Sequence, residues 1–95
     1  MKRLSWDDAK RRSNLQKHGL DFALLDAFDA ANAMFGEDRR GETDARFRYP
    51  ERRFFAVGLL RELVVQVVYA ERDGGWHVIS LRPASRKERQ LWLEK

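Results

Sequence analysis

Lys10, Asn14, Lys17 and His18 follow one another at i, i+4, i+7 and i+8. On an α-helix that spacing places all four on one stripe. Two cations, an amide and an imidazole on one face can contact phosphates and support proton transfer. The ordinary alternative is a solvated helix face whose last turn, with Lys17 and His18, meets the negative end of the helix dipole. Residues 69–82 hold a second constellation. Side chains alternate faces along a strand. With a two-residue loop at Asp73-Gly74 or Gly74-Gly75, Tyr69 and Glu71 share a face with Trp76, Ser80 and Arg82. Arg72 then shares the other face with His77 and Ile79, and a three-residue loop reverses both groupings. The plain reading of Arg82 is an ion pair with Glu71 or Glu88. His77, between Trp76 and Val78, reads as a packed or turn-edge histidine.

These residues need elements to hold them. Residues 2–6 read as a short edge strand. Ser5 and Asp8 have capping-box spacing, and a helix then runs from about residue 8 to Lys17, with Gly19 as its left-handed C-cap. Asp21 caps a second helix whose apolar stripe is Phe22, Leu25 and Phe28. Ala31 to Phe35 reads as a short strand, and Gly36 to Pro50 as a polar surface loop. Strands follow at Arg53–Leu59, Leu63–Tyr69 and Trp76–Leu81, the last two joined by a turn at Asp73-Gly74-Gly75. The Leu63–Tyr69 run is apolar on both faces, as a central strand should be. Ser85 and Glu88 form another capping box, opening a short C-terminal helix with Leu91, Trp92 and Leu93. The expected core is Val65, Val67, Phe54 and Val57 against Phe22, Leu25 and Phe28. The order predicts an α+β domain spanning residues 1–95: two N-terminal helices, a mainly antiparallel sheet of about four to five strands, and a short C-terminal helix.

Composition narrows the function classes. The 95 residues carry 19 Lys+Arg against 15 Asp+Glu, a net charge of +4, and they are 43% hydrophobic. That apolar share is too high for a disordered polar chain. The absence of cysteine excludes disulfides, thiolate metal sites and cysteine nucleophiles. Two histidines, His18 and His77, make a multi-histidine metal site improbable. No apolar run approaches the roughly 20 residues of a membrane span, and no signal peptide is visible. Charge is segregated: residues 20–38 hold five acids and no Lys or Arg, whereas residues 39–53 hold six arginines against three acids. A pI near 9.9 points to an anionic partner, but +4 spread over a surface is a modest field, and each cluster reads equally well as ordinary solvated charge.

Several segments carry a resemblance. Trp6-Asp7, Lys10, Asn14, Lys17-His18-Gly19 and Phe22 resemble the "WD..K...N..KHG...F" opening of the BrnT toxins. Asp38-Arg39, Val68-Tyr69-Ala70-Glu71-Arg72 and Ile79-Ser80 resemble that family's later strands. Arg82 with Ala84-Ser85-Arg86-Lys87-Glu88-Arg89 resembles its close. Three places depart from the pattern. Residues 43–53 are longer and richer in arginine, Leu59-Leu60 stands where a Gly-Arg pair is frequent, and Pro83 replaces a residue that is commonly basic.

The resemblance implies a RelE-like fold and a type II toxin–antitoxin system. It implies a cytoplasmic endoribonuclease toxin that inhibits translation. It also implies a ribbon-helix-helix, BrnA-like antitoxin, two toxins with two antitoxins, and binding of operator DNA through the antitoxin. Metal-free RNA cleavage needs a base for the 2′-OH, cations for the charge on phosphorus, and an acid for the leaving 5′-oxygen. Histidine suits acid or base work near neutral pH, and arginine donates bidentate hydrogen bonds to phosphate. Candidate catalytic residues are Arg82, His18, Lys17, Glu71 and Tyr69. Candidate RNA contacts are Lys10, Asn14, Arg39, Arg72, Arg86 and Lys87, with Tyr49, Trp76 or Trp92 available for base stacking. No cofactor or metal is expected, and the product would be a 2′,3′-cyclic phosphate. Two other classes fit the same residues: a basic module that binds RNA or a protein without cutting, and a co-repressor that stabilises an antitoxin on DNA.

Overall fold

The computed structural model describes residues 3–95, so Lys2 of the first expected strand lies outside it. The elements are β1 (Leu4–Trp6), α1 (Asp8–His18), β2 (Met34–Glu37), β3 (Phe54–Leu60), β4 (Leu63–Arg72), β5 (Gly75–Pro83) and α2 (Arg86–Glu94). The sheet order is β1-β5-β4-β3-β2. Only the β1–β5 pairing is parallel; the others are antiparallel. An α+β fold with a five-stranded sheet and a C-terminal helix is thus in place.

The double-faced strand is β4, with β3 and β5 on either side. One face carries Val65, Val67 and Tyr69 beside Ala56, Val78 and Leu81, and Phe22 and Leu25 pack on it. Phe54 and Phe28 join this cluster half-buried. Val57 is fully buried too, but its register with Gln66 puts it on the opposite face, the side of α2.

The second helix is not an α-helix. Phe22–Ala27 is a 3₁₀ run, so among the described residues α1 is the one long N-terminal helix. The three-residue spacing of Phe22 and Leu25 is the period of a 3₁₀ turn, so both point inward without a longer helix. Asp21 caps it as expected, but Phe28 is already extended and bridges Leu60, which ends the run after six residues. Asp7, not Ser5, caps α1, accepting from Ala9 and Lys10 backbone N–H groups. Ser5 lies within β1, paired beside His77. Gly19 does end α1 in the left-handed conformation, at φ 70°. The early strand falls at Met34–Glu37 rather than Ala31–Phe35, so Gly36 and Glu37 belong to the sheet rather than to the loop. The rest of that loop contains 3₁₀ turns at Arg40–Glu42 and Ala45–Phe47.

Ion pairs on this surface set a pH limit. Hydrogen bonding to Arg11, then to the Ala23 amide, holds the Asp21 carboxyl at about 2. Arginine partners also lower Glu37, Asp38, Asp44, Glu51 and Glu88. A carboxyl depressed on folding stabilises above its unfolded pKa, and that stabilisation is lost as pH falls through its folded pKa. For Asp21 the window runs from 3.8 down to about 2. The melting temperature should therefore drop steeply across that range. Asp21→Asn, which keeps a capping oxygen, should flatten part of the drop. A wild-type melting temperature unchanged between pH 4 and 2 would show that these pairs add nothing.

Candidate functional site

The β4–β5 hairpin turns on Asp73 and Gly74, both at positive φ (53° and 75°). Arg72 pairs with Gly75, the register of a two-residue loop. Glu71 then faces Trp76 as expected, but the alternation does not continue. Val68 pairs with Ser80 and Tyr69 with Val78, so Ile79 is an extra residue, a β-bulge. Beyond it every side chain of β5 changes face. Ser80 and Arg82 therefore leave the face of Tyr69 and Glu71 and join Gln66, Arg72 and His77. This corrects the expected grouping.

The bulge gives Arg82 new neighbours. It lines a groove of about 300 Å³ with Arg39, Phe55, Gln66, Val68 and Glu88. Its guanidinium donates from Nη1 and Nη2 to Glu88, at 2.9 and 2.8 Å. Glu88 is one of the two expected ion-pair partners; Glu71 stands on the opposite face. Gln66 also donates to Glu88, at 3.0 Å. The Ser85–Glu88 capping box is present, and the same carboxylate closes it. Hydrogen bonding to Arg82 is the main reason the Glu88 carboxyl lies below the ordinary glutamate range.

The α1 stripe does assemble. Lys10, Lys17 and His18 are exposed and, with Ser13 and Asn14, border a shallow pocket against Ile79 and Ser80 of β5. Ser80 and Arg82 lie on one face, roughly 7 Å apart by strand rise. The pocket and the groove thus adjoin along β5.

Asn14 differs from its neighbours. β1 covers β5 only at Trp76–Val78, leaving the strand edge beyond without a strand neighbour. The Asn14 amide fills that place. Its Nδ2 donates to the Leu81 carbonyl at 2.7 Å, and its Oδ1 accepts from the Leu81 amide at 3.0 Å. Nδ2 also donates to the Leu20 carbonyl at 3.0 Å. The side chain is buried and occupied by backbone, so it anchors α1 to the sheet. Leaving buried backbone groups unpaired costs about 1–3 kcal/mol each. Asn14→Ala should therefore lower unfolding free energy by about 2–4 kcal/mol in urea titration. A loss under about 0.5 kcal/mol would show that water replaces the amide at no cost.

The remaining candidates are scattered. Tyr69 is buried, stacked on Trp76 at 4.1 Å between ring centroids and on Phe54 at 5.9 Å. Burial raises its phenol above the ordinary range. Glu71 is exposed across the sheet from Arg82. Arg72 is held bidentately by Glu51. His77 accepts or donates at Nδ1 with Ser5, at 2.9 Å, and burial lowers its pKa, keeping it neutral at neutral pH. Arg86 and Lys87 are exposed on the first turn of α2. Of the stacking candidates, Trp76 is buried, Tyr49 lies under the Arg53 guanidinium at 3.4 Å, and Trp92 donates to the Asn32 carbonyl at 2.8 Å. Gln66 is a groove residue that sequence reasoning did not place there. The sequence marks Glu88 as a helix cap and as one of two partners for Arg82, but not as part of a groove. Among the described residues no three His, Asp or Glu side chains gather as a metal site requires. Among the described residues no helix is long and apolar enough to cross a membrane.

The family model for the ribonuclease toxin BrnT of type II toxin–antitoxin systems matches residues 6–88. The class is therefore that of ribonuclease toxins with a dedicated antitoxin. Within it, the chain belongs to the BrnT family. The fold is similar to the 1.1 Å crystal structure of the Brucella abortus ribonuclease toxin BrnT, with a TM-score of 0.66 and 27% identity over 90% of this chain and 100% of that one. No curated protein matches the chain.

Proposed function

We propose that residues 1–95 form one RelE-like, cytoplasmic endoribonuclease domain that cleaves RNA without a metal ion and so inhibits translation. The observation that carries this reading is the bulge at Ile79, which aligns Arg82 with the α1 stripe along one side of β5. An RNA strand there meets Arg82 and Arg39 in the groove and Lys10, Lys17 and His18 beside it. Arg86 and Lys87 extend the cationic border. Arg82 holds a phosphate oxygen as charge builds on phosphorus. One proton leaves the 2′-OH as its oxygen attacks phosphorus, and one reaches the departing 5′-oxygen. His18 is the sequence-predicted acid–base group on this side; Tyr69 and Glu71 are on the other. The products are a 2′,3′-cyclic phosphate and a free 5′-hydroxyl.

The partner is a ribbon-helix-helix antitoxin, BrnA-like, in a complex of two toxins and two antitoxins that binds operator DNA and represses the operon. An acidic segment of the antitoxin lying over Lys10–His18 and Arg82–Arg89 gives fast capture by charge complementarity and excludes RNA. Incubation of the purified toxin with single-stranded RNA in EDTA, with and without antitoxin, tests the reading. The free protein should cut and the complex should not. Binding of RNA with no cleavage would make the protein a binding module.

A further inference from the structure

Six arginines among the described residues grip a carboxylate with two nitrogens, and they do it in two ways. Arg11, Arg40, Arg46, Arg52 and Arg72 all donate from Nε and Nη2. Arg82 alone donates from Nη1 and Nη2. The difference decides what each side chain has left to offer. A guanidinium carries five N–H bonds in one plane. Its Nε and Nη2 hydrogens run parallel and match two oxygens of a carboxylate or phosphate. In the five other pairs a carboxylate already fills that edge. In Arg82 the second Nη1 hydrogen goes to the Pro83 carbonyl at 3.1 Å, and the Nε–Nη2 edge stays open. The side chain is 34% exposed and borders the groove.

Glu88 is itself held firmly. One oxygen accepts from the Ser85 amide and Arg82 Nη1, the other from Gln66 Nε2 and Arg82 Nη2. Four donors on two oxygens leave the carboxylate one orientation, and its side chain is only 22% exposed.

We infer that Glu88 is a positioning residue for the RNA phosphate. It holds Arg82 end-on so that the Nε–Nη2 edge is free and aimed before RNA arrives. No ion pair has to break when a phosphate binds, and the side-chain entropy of Arg82 is already lost. The inference rests on the ribonuclease reading above. It also separates the groove's arginines: Arg40 lines the groove too, but Asp38 fills its phosphate-matching edge.

The test is cleavage of a short single-stranded RNA under single-turnover conditions across protein concentration. Glu88→Gln cannot accept at its amide nitrogen, so it frees the fork from its fixed pose. Its saturating rate should fall about tenfold while the half-saturating concentration moves less than about threefold. Arg82→Lys keeps a charge for Glu88 but has no second edge, and should lose as much as Arg82→Ala. Wild-type or faster cleavage by Glu88→Gln would make Glu88 a bystander or a brake and overturn the inference. If that variant does not fold, Arg82→Lys decides: near-normal cleavage overturns it. Failure of the wild type itself to cleave would overturn the ribonuclease reading and this inference together.

Discussion

Val67→Asp should unfold the protein. Val67 is fully buried in the central strand, paired with Ala56 on one side and Leu81 on the other. Valine and aspartate are similar in size, so the damage is electrostatic. The core neighbours of Val67 on this face are apolar, Phe22, Val65 and Val78 among them. An unpaired buried carboxylate costs more than about 4 kcal/mol, against a total stability of about 5–15 kcal/mol for a domain. Far-UV circular dichroism and a thermal melt read the outcome. A variant with native ellipticity and an unchanged melting temperature would show that β4 is not the centre of the fold.

Arg82→Ala should leave the fold intact and cut RNA at least about tenfold more slowly, as loss of a transition-state charge contact does. The fold survives because Arg82 is only half-buried and Glu88 keeps its Ser85 and Gln66 partners. The loss should appear mainly in the rate at saturating RNA, since the proposed contacts of Lys10, Lys17 and Arg39 with the strand are untouched. A folded Arg82→Ala that cleaves and arrests growth like the wild type would assign Arg82 to the ion pair alone.

Much of the scaffold was legible because local chemistry determined it. The Ser85–Glu88 spacing marked the start of α2, Gly19 the end of α1, and Asp73-Gly74 the hairpin. The double-faced apolar run marked β4. The site was legible in composition but not in arrangement. Nothing in Trp76-His77-Val78-Ile79-Ser80 announces a bulge, yet that one extra residue moves Arg82 across the sheet. Asn14 sits at helical spacing with cations, and only the open edge of β5 explains its burial. The 3₁₀ run was hidden because Phe22, Leu25 and Phe28 recur every three residues, a step that an amphipathic α-helix also allows. Which edge of an arginine meets its carboxylate depends on the approach of two elements, and no spacing encodes it.

The central claim is metal-free RNA cleavage centred on Arg82. One digest tests it most directly: a defined single-stranded RNA, purified toxin, excess EDTA, and chemical assignment of both new ends. The claim predicts fragments ending in 2′,3′-cyclic phosphate and beginning with 5′-hydroxyl, with at most about a tenth as much from Arg82→Ala. Absence of fragments until a divalent metal is added, or fragments beginning with a 5′-phosphate, would contradict it.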